Sequence, residues 1–323
     1  MTLKEIKAPV ESHMKTFEAR FRDSMKSKVP LLDKVTRFIV KRKGKQVRPL
    51  FVFFSAGIFG EISERTYRAA SLIELLHTAT LIHDDVVDDS NERRGFFSLN
   101  ALWKNKIAVL TGDYLLSRGL LLSLNNKDFD LLKIVTDSVK EMSEGELLQI
   151  EKARKLDIEE AVYFEIIRKK TASLIASCMA CGAASAGADD ENIAGMHSIG
   201  EKAGIAFQIK DDILDFETTM AKGKPSGADI KDQKMTLPLI YLLNNASYLN
   251  RRWIINTVKN HNYDPVRTAA LTKMVYDSGG IEYARQYMNQ YRDQALEALS
   301  RLPDSESRQS LQKLISFSVD REK

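Results

Sequence analysis

From Ala69 to Arg94 the chain contains neither Gly nor Pro, and Leu72, Ile73, Leu75, Leu76, Ala79, Leu81 and Ile82 are spaced for a largely buried helix. The helix runs into an acidic block, His83-Asp84-Asp85-Val86-Val87-Asp88-Asp89-Ser90-Asn91-Glu92-Arg93-Arg94-Gly95, and is expected to end between Ser90 and Gly95. Asp84 and Asp88 fall one turn apart on one face, with Asp85 and Asp89 beside them. At an effective dielectric near 20, each like-charge pair at about 4 Å costs roughly 4 kcal/mol. Acids at a helix C-terminus also face the negative end of the macrodipole, where lysine or arginine would stabilise. The block calls for a cation. Oxygen ligands without Cys or His suit a hard ion, and magnesium takes one or two carboxylates while leaving places for water and phosphate.

A single acidic helix end has an ordinary explanation, a solvated cluster, and one DDxxD match is a weak signal. The second copy changes the weighing: Phe207-Gln208-Ile209-Lys210-Asp211-Asp212-Ile213-Leu214-Asp215 again closes a helix, before the breaker Gly223-Lys224-Pro225-Ser226-Gly227. Two such ends argue for one shared site.

The remaining segments are helical in pattern. An amphipathic stripe runs Ile6, Val10, Met14, Phe17, Phe21 and Met25, and further helices are expected over 31–41, 50–59, 107–124, 129–152, 158–187, 189–218, 237–245, 252–260, 268–278 and 281–300, with a last one after Leu302-Pro303. No segment sustains period-two alternation. The expected fold is all-α, a single large helical bundle over 1–323, with two aspartate-rich helix ends facing a central cavity. With 323 residues and 44% hydrophobic content a large core is within reach, and no linker divides the chain. A net charge of +4 argues against general nucleic-acid binding. Asp113 and Arg118 interrupt the best apolar run before it reaches about 18 residues, and Met1 to Lys15 is charged rather than signal-like, so no transmembrane segment is expected and the chain reads as soluble and cytoplasmic. Cys178 and Cys181 lie in a stretch rich in Ala, Ser and Gly without partner ligands, which fits close helix packing better than redox or metal use.

Two basic stretches complement the acids. Lys41-Arg42-Lys43-Gly44-Lys45-Gln46-Val47-Arg48-Pro49 reads as a turn that is either a solvated face or a phosphate contact through Lys45 and Arg48. The segment Glu217 to Pro238, with Lys222, Lys224, Lys231 and Lys234, is either a connector or a lid whose lysines meet phosphate on closure.

Taken together, GKQVRP (44–49), ELLHTATLIHDDVVDDSNERRG (74–95), GDYLLS (112–117), EGELLQ (144–149), KKTA (169–172), FQIKDDILDF (207–216), GKPSGADIKDQKMTLP (223–238) and LSRLPDSESRQSLQKL (299–314) resemble the trans-prenyltransferases, the polyprenyl diphosphate synthase family of medium and long chain type, over nearly the whole chain. The resemblance implies the isoprenoid synthase bundle, a magnesium-dependent reaction of isopentenyl diphosphate with an allylic diphosphate, and a homodimer. It places magnesium at Asp84, Asp85 and Asp88 and at Asp211, Asp212 and Asp215. Arg93 would grip the allylic diphosphate, joined by Lys224 and Lys234 from the lid. Lys45, Arg48, His77 and Arg94 would bind isopentenyl diphosphate, and Lys170, Thr171 and Gln208 would line the reaction centre. For His77 the ordinary alternative is a hydrogen-bonded core histidine. Gln149 departs from short-chain relatives, which carry a metal-adjacent aspartate there.

A growing apolar chain would run beside the helix that precedes Asp84, past Thr80, Ala79, Leu76 and Ile73 as its wall. None of these is aromatic, whereas farnesyl-forming relatives commonly place a ring four or five residues before the motif. At about 1.5 Å per residue, Ile73 to Asp84 spans roughly 16 Å, depth for several isoprene units. The expectation is a product longer than farnesyl, destined for a quinone. A class I terpene cyclase and a non-catalytic subunit of a heteromeric synthase are the alternatives. The cyclase would lack the Lys45 and Arg48 pair, and the subunit would have lost one aspartate motif.

Overall fold

The computed structural model describes residues 2–41, 44–90, 92–93, 96–155, 159–222 and 228–320. Helices dominate: α1 Leu3–Lys7, α2 Glu11–Ser24, α3 Pro30–Lys41, α4 Val47–Phe59, α5 Glu64–Val87, α6 Leu99–Asn125, α7 Phe129–Lys155, α8 Glu160–Ile167, α9 Ser173–Ser185, α10 Asp190–Lys222, α11 Ala228–Lys231, α12 Leu237–Asn245, α13 Tyr248–Asn260, α14 Pro265–Asp277, α15 Gly280–Ser300 and α16 Glu306–Asp320. The expected all-α class holds, with one small exception among the described residues. Strands β1 (Glu92–Arg93) and β2 (Phe96–Phe97) pair antiparallel in a hairpin too short to leave an alternating pattern.

The chain divides into two compact units, 1–139 with 177–197 and 302–311, and 140–176 with 198–301 and 312–323. In the first, the stripe Ile6, Val10, Met14, Phe17, Phe21 and Met25 is buried as read, although a 3₁₀ turn at Ala8–Val10 splits the helix at Pro9. Phe17 stacks on Phe21 and meets Phe53 edge-on at 6.0 Å. α5 is fixed near its start by Arg65, which donates to the Ala184 carbonyl at 2.7 Å, and by Arg68, whose Nε donates to Asp128 at 2.6 Å.

α5 ends at Val87, before the expected terminus. Asp89 adopts φ 47°, its N–H donates to the Val86 carbonyl and the Ser90 N–H to the Asp85 carbonyl, which is the Schellman closure with aspartate where glycine is usual. α6 begins at Leu99, eight residues before the expected start, because its first turns precede a break at Lys104 (φ 67°, ψ 160°). By length and composition α6 is apolar enough to cross a membrane, at mean hydropathy 1.4. It packs on its neighbours: Arg118 Nε donates to the Ser24 carbonyl at 2.9 Å, Tyr114 to the Lys26 carbonyl at 2.8 Å, and Leu115 is buried. Cys178 and Cys181 are free and buried, and burial pushes the Cys178 thiol up to about 12, as helix packing requires.

The second unit is built around Ile167, Ile205, Ile209, Phe216, Leu239, Ile254, Leu271 and Val319. Here the expected single helix over 158–187 is corrected: α8 and α9 are separated by a π turn at Arg168–Ala172. Two glycines let neighbouring helices reach that turn. A Cβ on Gly145 would lie 2.9 Å from the Lys170 amide nitrogen, and one on Gly204 would lie 2.5 Å from Ala172 Cα.

Candidate active site

The first acidic end belongs to the first unit. Asp85 is buried, Asp84 half-buried, and Asp88 and Asp89 exposed. Two side chains fasten the backbone around it: Asn100 Nδ2 donates to the Asp85 carbonyl at 3.1 Å, and Ser98 Oγ to the Ser90 carbonyl at 2.6 Å. The hairpin carrying Arg93 is thereby anchored at both ends. Arg94 and Lys224 lie outside the described residues, as does the side chain of Arg93.

The basic turn lies in the same unit. Gln46, at φ 52°, starts α4 between an exposed Lys45 and a half-buried Arg48. Lys7 Nζ donates to the Lys45 carbonyl at 2.8 Å, a contact from α1 that no motif announces. His77 is buried on α5. Of the residues expected to wall a growing chain, Ile73, Leu76 and Ala79 are buried, and Thr80 is half-buried with its hydroxyl donating to the His77 carbonyl at 2.9 Å. α6 covers part of this face, since a Cβ on Gly119 would touch Leu72, Leu75 and Leu76 at 3.4 to 3.6 Å.

The second acidic motif lies within α10, which continues past Asp215 to Lys222, and forms a cleft of about 310 Å³ lined by Gln208, Asp211, Asp212, Leu214, Asp215 and Asp229. Asp212, 4% exposed, sits at its floor. Tyr163 donates to Asp212 Oδ2 at 2.7 Å and Gln208 Nε2 to Asp212 Oδ1 at 2.9 Å, while Thr171 donates to Gln208 Oε1 at 2.8 Å. Burial, reinforced by the charge of Asp229, pushes the Asp212 carboxyl up. Asp229 is also pushed up, first by burial and then by Asp215, against the opposing pull of Lys234.

Sequence reading missed Asp229 because it stands alone, outside any acidic run. Its backbone N–H donates to Asp215 Oδ2 at 3.2 Å, and Lys234 Nζ lies 3.4 Å from its carboxylate and 3.0 Å from that of Asp232. Lys234 is therefore held by acids. Lys170 pairs with Glu146 and donates to Gln149 Oε1 at 3.3 Å, so the glutamine that departs from the short-chain pattern serves as its acceptor.

Among the described residues no three His, Cys, Asp or Glu side chains converge as a ready-made metal cage. The donors nonetheless fit a hard divalent cation. Asp211, Asp215 and Asp229 line an open cleft with oxygen donors, burial and the charge of Asp215 disfavour the charged form of Asp229, and magnesium needs only one or two carboxylates.

The Polyprenyl synthetase family model matches residues 29–275. The chain belongs to that family. The chain is 34% identical over 319 residues, 98% of its length and 97% of the relative's, to the all-trans-nonaprenyl-diphosphate synthase (geranyl-diphosphate specific) of Rhodobacter capsulatus. Its fold matches the crystal structure of a decaprenyl diphosphate synthase from the same organism at TM-score 0.94, with 31% identity and both chains covered in full. A polyprenyl synthase from Caulobacter crescentus, complexed with calcium and isoprenyl diphosphate, matches at TM-score 0.91 and 30% identity, covering 100% of this chain and 98% of that one.

Proposed function

We propose that this enzyme condenses isopentenyl diphosphate head to tail (1'-4) with an allylic diphosphate, releasing diphosphate and building an all-trans polyprenyl diphosphate longer than farnesyl. The observation that carries the reading is the chain of donors from Thr171 through Gln208 to Asp212, at the floor of a cleft lined by carboxylates. Magnesium, held by Asp84, Asp85 and Asp88 and by Asp211 and Asp215, would supply the positive charge that lets the allylic diphosphate leave. Arg93, Lys224 and Lys234 bind that diphosphate, and Lys234 exchanges Asp229 and Asp232 for it. Lys45, Arg48, His77 and Arg94 place isopentenyl diphosphate so that its terminal alkene attacks the allylic cation.

Thr171 and Gln208 are neutral dipoles, suited to stabilising that cation without trapping it as an adduct. The proton lost on forming the new double bond goes to an oxygen of the released diphosphate, so no side-chain base is needed. Chain growth runs past Thr80, Ala79, Leu76 and Ile73, none of them a ring, which supports a medium or long product for a quinone.

We read residues 1–323 as one catalytic domain, supported by a single family match that runs across both units. The enzyme acts in the cytoplasm as a homodimer. Exposed Leu110, Leu121 and Leu124 on α6 support self-association. The cyclase and non-catalytic readings are disfavoured by the family match and by both intact aspartate motifs. The test is incorporation of labelled isopentenyl diphosphate by the pure protein with magnesium and an allylic primer. Asp84→Ala and Asp211→Ala should each lower it by about a hundredfold or more. Hydrocarbon formed without isopentenyl diphosphate would contradict the reading.

A further inference from the structure

We infer that Tyr163 is a positioning residue for the reaction, and that the aspartate it holds, Asp212, is a hydrogen-bond hub rather than a metal ligand. The inference rests on the prenyl-transfer reading of the cleft. Both oxygens of Asp212 are engaged by protein donors, Oδ2 by the Tyr163 hydroxyl at 2.7 Å and Oδ1 by Gln208 Nε2 at 2.9 Å. A carboxylate has further lone pairs. In a side chain 4% exposed, beside a tyrosine 3% exposed, little of that capacity is open to solvent. Asp211 and Asp215 are half-buried, line the cleft and stand one turn apart, which is the arrangement a shared cation needs.

The direction of the bonds gives Asp212 its work. Thr171 donates to Gln208, and Gln208 and Tyr163 both donate to Asp212. A donor chain ending on a carboxylate polarises each member, leaving the Thr171 hydroxyl oxygen and the Gln208 carbonyl oxygen more electron-rich than either would be alone. Those two oxygens are the dipoles assigned above to the allylic cation. Tyr163 fixes the far side of the carboxylate, so that Oδ1 stays aimed at Gln208.

The π turn makes this possible. In an unbroken α-helix Tyr163 and Thr171, eight residues apart, would point about 80° away from one another. The wider turn at Arg168–Ala172 absorbs the excess, so that both side chains meet residues 208 and 212, which are themselves one turn apart on α10.

The experiment compares Tyr163→Phe, Asp212→Asn, Asp211→Asn and Asp215→Asn with the wild-type enzyme by steady-state kinetics and by calorimetric titration of inorganic pyrophosphate with magnesium. Tyr163→Phe should lower kcat by about tenfold while the KM for isopentenyl diphosphate and the magnesium half-saturation stay within about twofold. Asp212→Asn should bind pyrophosphate with magnesium within about threefold of wild type but turn over at least about a hundredfold more slowly. Asp211→Asn and Asp215→Asn should lose that binding. A lowered melting temperature of Tyr163→Phe at unchanged kcat would overturn the inference, as would loss of pyrophosphate binding in Asp212→Asn equal to that in Asp211→Asn. Failure of the prenyl-transfer reading itself would show separately, as a wild-type protein that binds pyrophosphate and incorporates nothing.

Discussion

Asp89 closes α5 in a backbone conformation that suits glycine. With φ 47° it occupies the left-handed position of a Schellman closure, and a side chain there costs roughly 1 kcal/mol. Asp89→Gly should therefore raise unfolding stability by about 1 kcal/mol in urea melts; an unchanged or lower midpoint would contradict the closure. Gln46 and Gln233, at φ 52° and 55°, stand beside Lys45 and Lys234 in the same way. Among the described residues Lys104 and Lys127 are left-handed as well, so the conformation is not confined to the neighbourhood of the candidate site residues. The sequence could not disclose them, because Asp or Gln in this conformation leaves no glycine to mark it.

The elements that position the site differ in how visible they are in the chain. The acidic end of α5 was legible because an apolar 3.6-residue period stops in carboxylates, which violates the usual preference at a helix C-terminus, whereas Asp211 to Asp215 lie inside α10, which continues to Lys222, and were legible as a second copy of the same motif. The π turn at Arg168–Ala172 was not legible, since its residues are ordinary helix formers and the extra residue is accommodated only by packing. That packing depends on the bare backbones of Gly145 and Gly204. Gly204→Ala places a methyl 2.5 Å from Ala172 Cα, and the forced displacement should cost about 1 to 3 kcal/mol. Because the displaced turn carries Lys170 and Thr171, kcat should fall as well. A Gly204→Ala protein with wild-type melting temperature and kcat would show that the turn is not braced by this contact. Asp229 and Lys7 escaped sequence reading for a related reason: each joins its neighbours through contacts formed only in the folded chain.

At the scale of the whole molecule, α6 joins an inward side that packs on α2 and α5 to an outward side with Leu110, Leu121 and Leu124 exposed. If that side is the contact between two copies, Leu121→Asp should convert a dimer to a monomer by light scattering. A wild-type monomer, or a Leu121→Asp protein that remains dimeric, would remove α6 from that role. Both the reaction and the length of what it makes are read at once by chromatography of products formed from labelled isopentenyl diphosphate with geranyl, farnesyl or geranylgeranyl diphosphate and magnesium, run beside Ala79→Phe. The expected result is a ladder ending well past farnesyl that shortens in Ala79→Phe. A ladder ending at farnesyl, or no incorporation with any primer by folded protein that still binds magnesium and diphosphate, would contradict it.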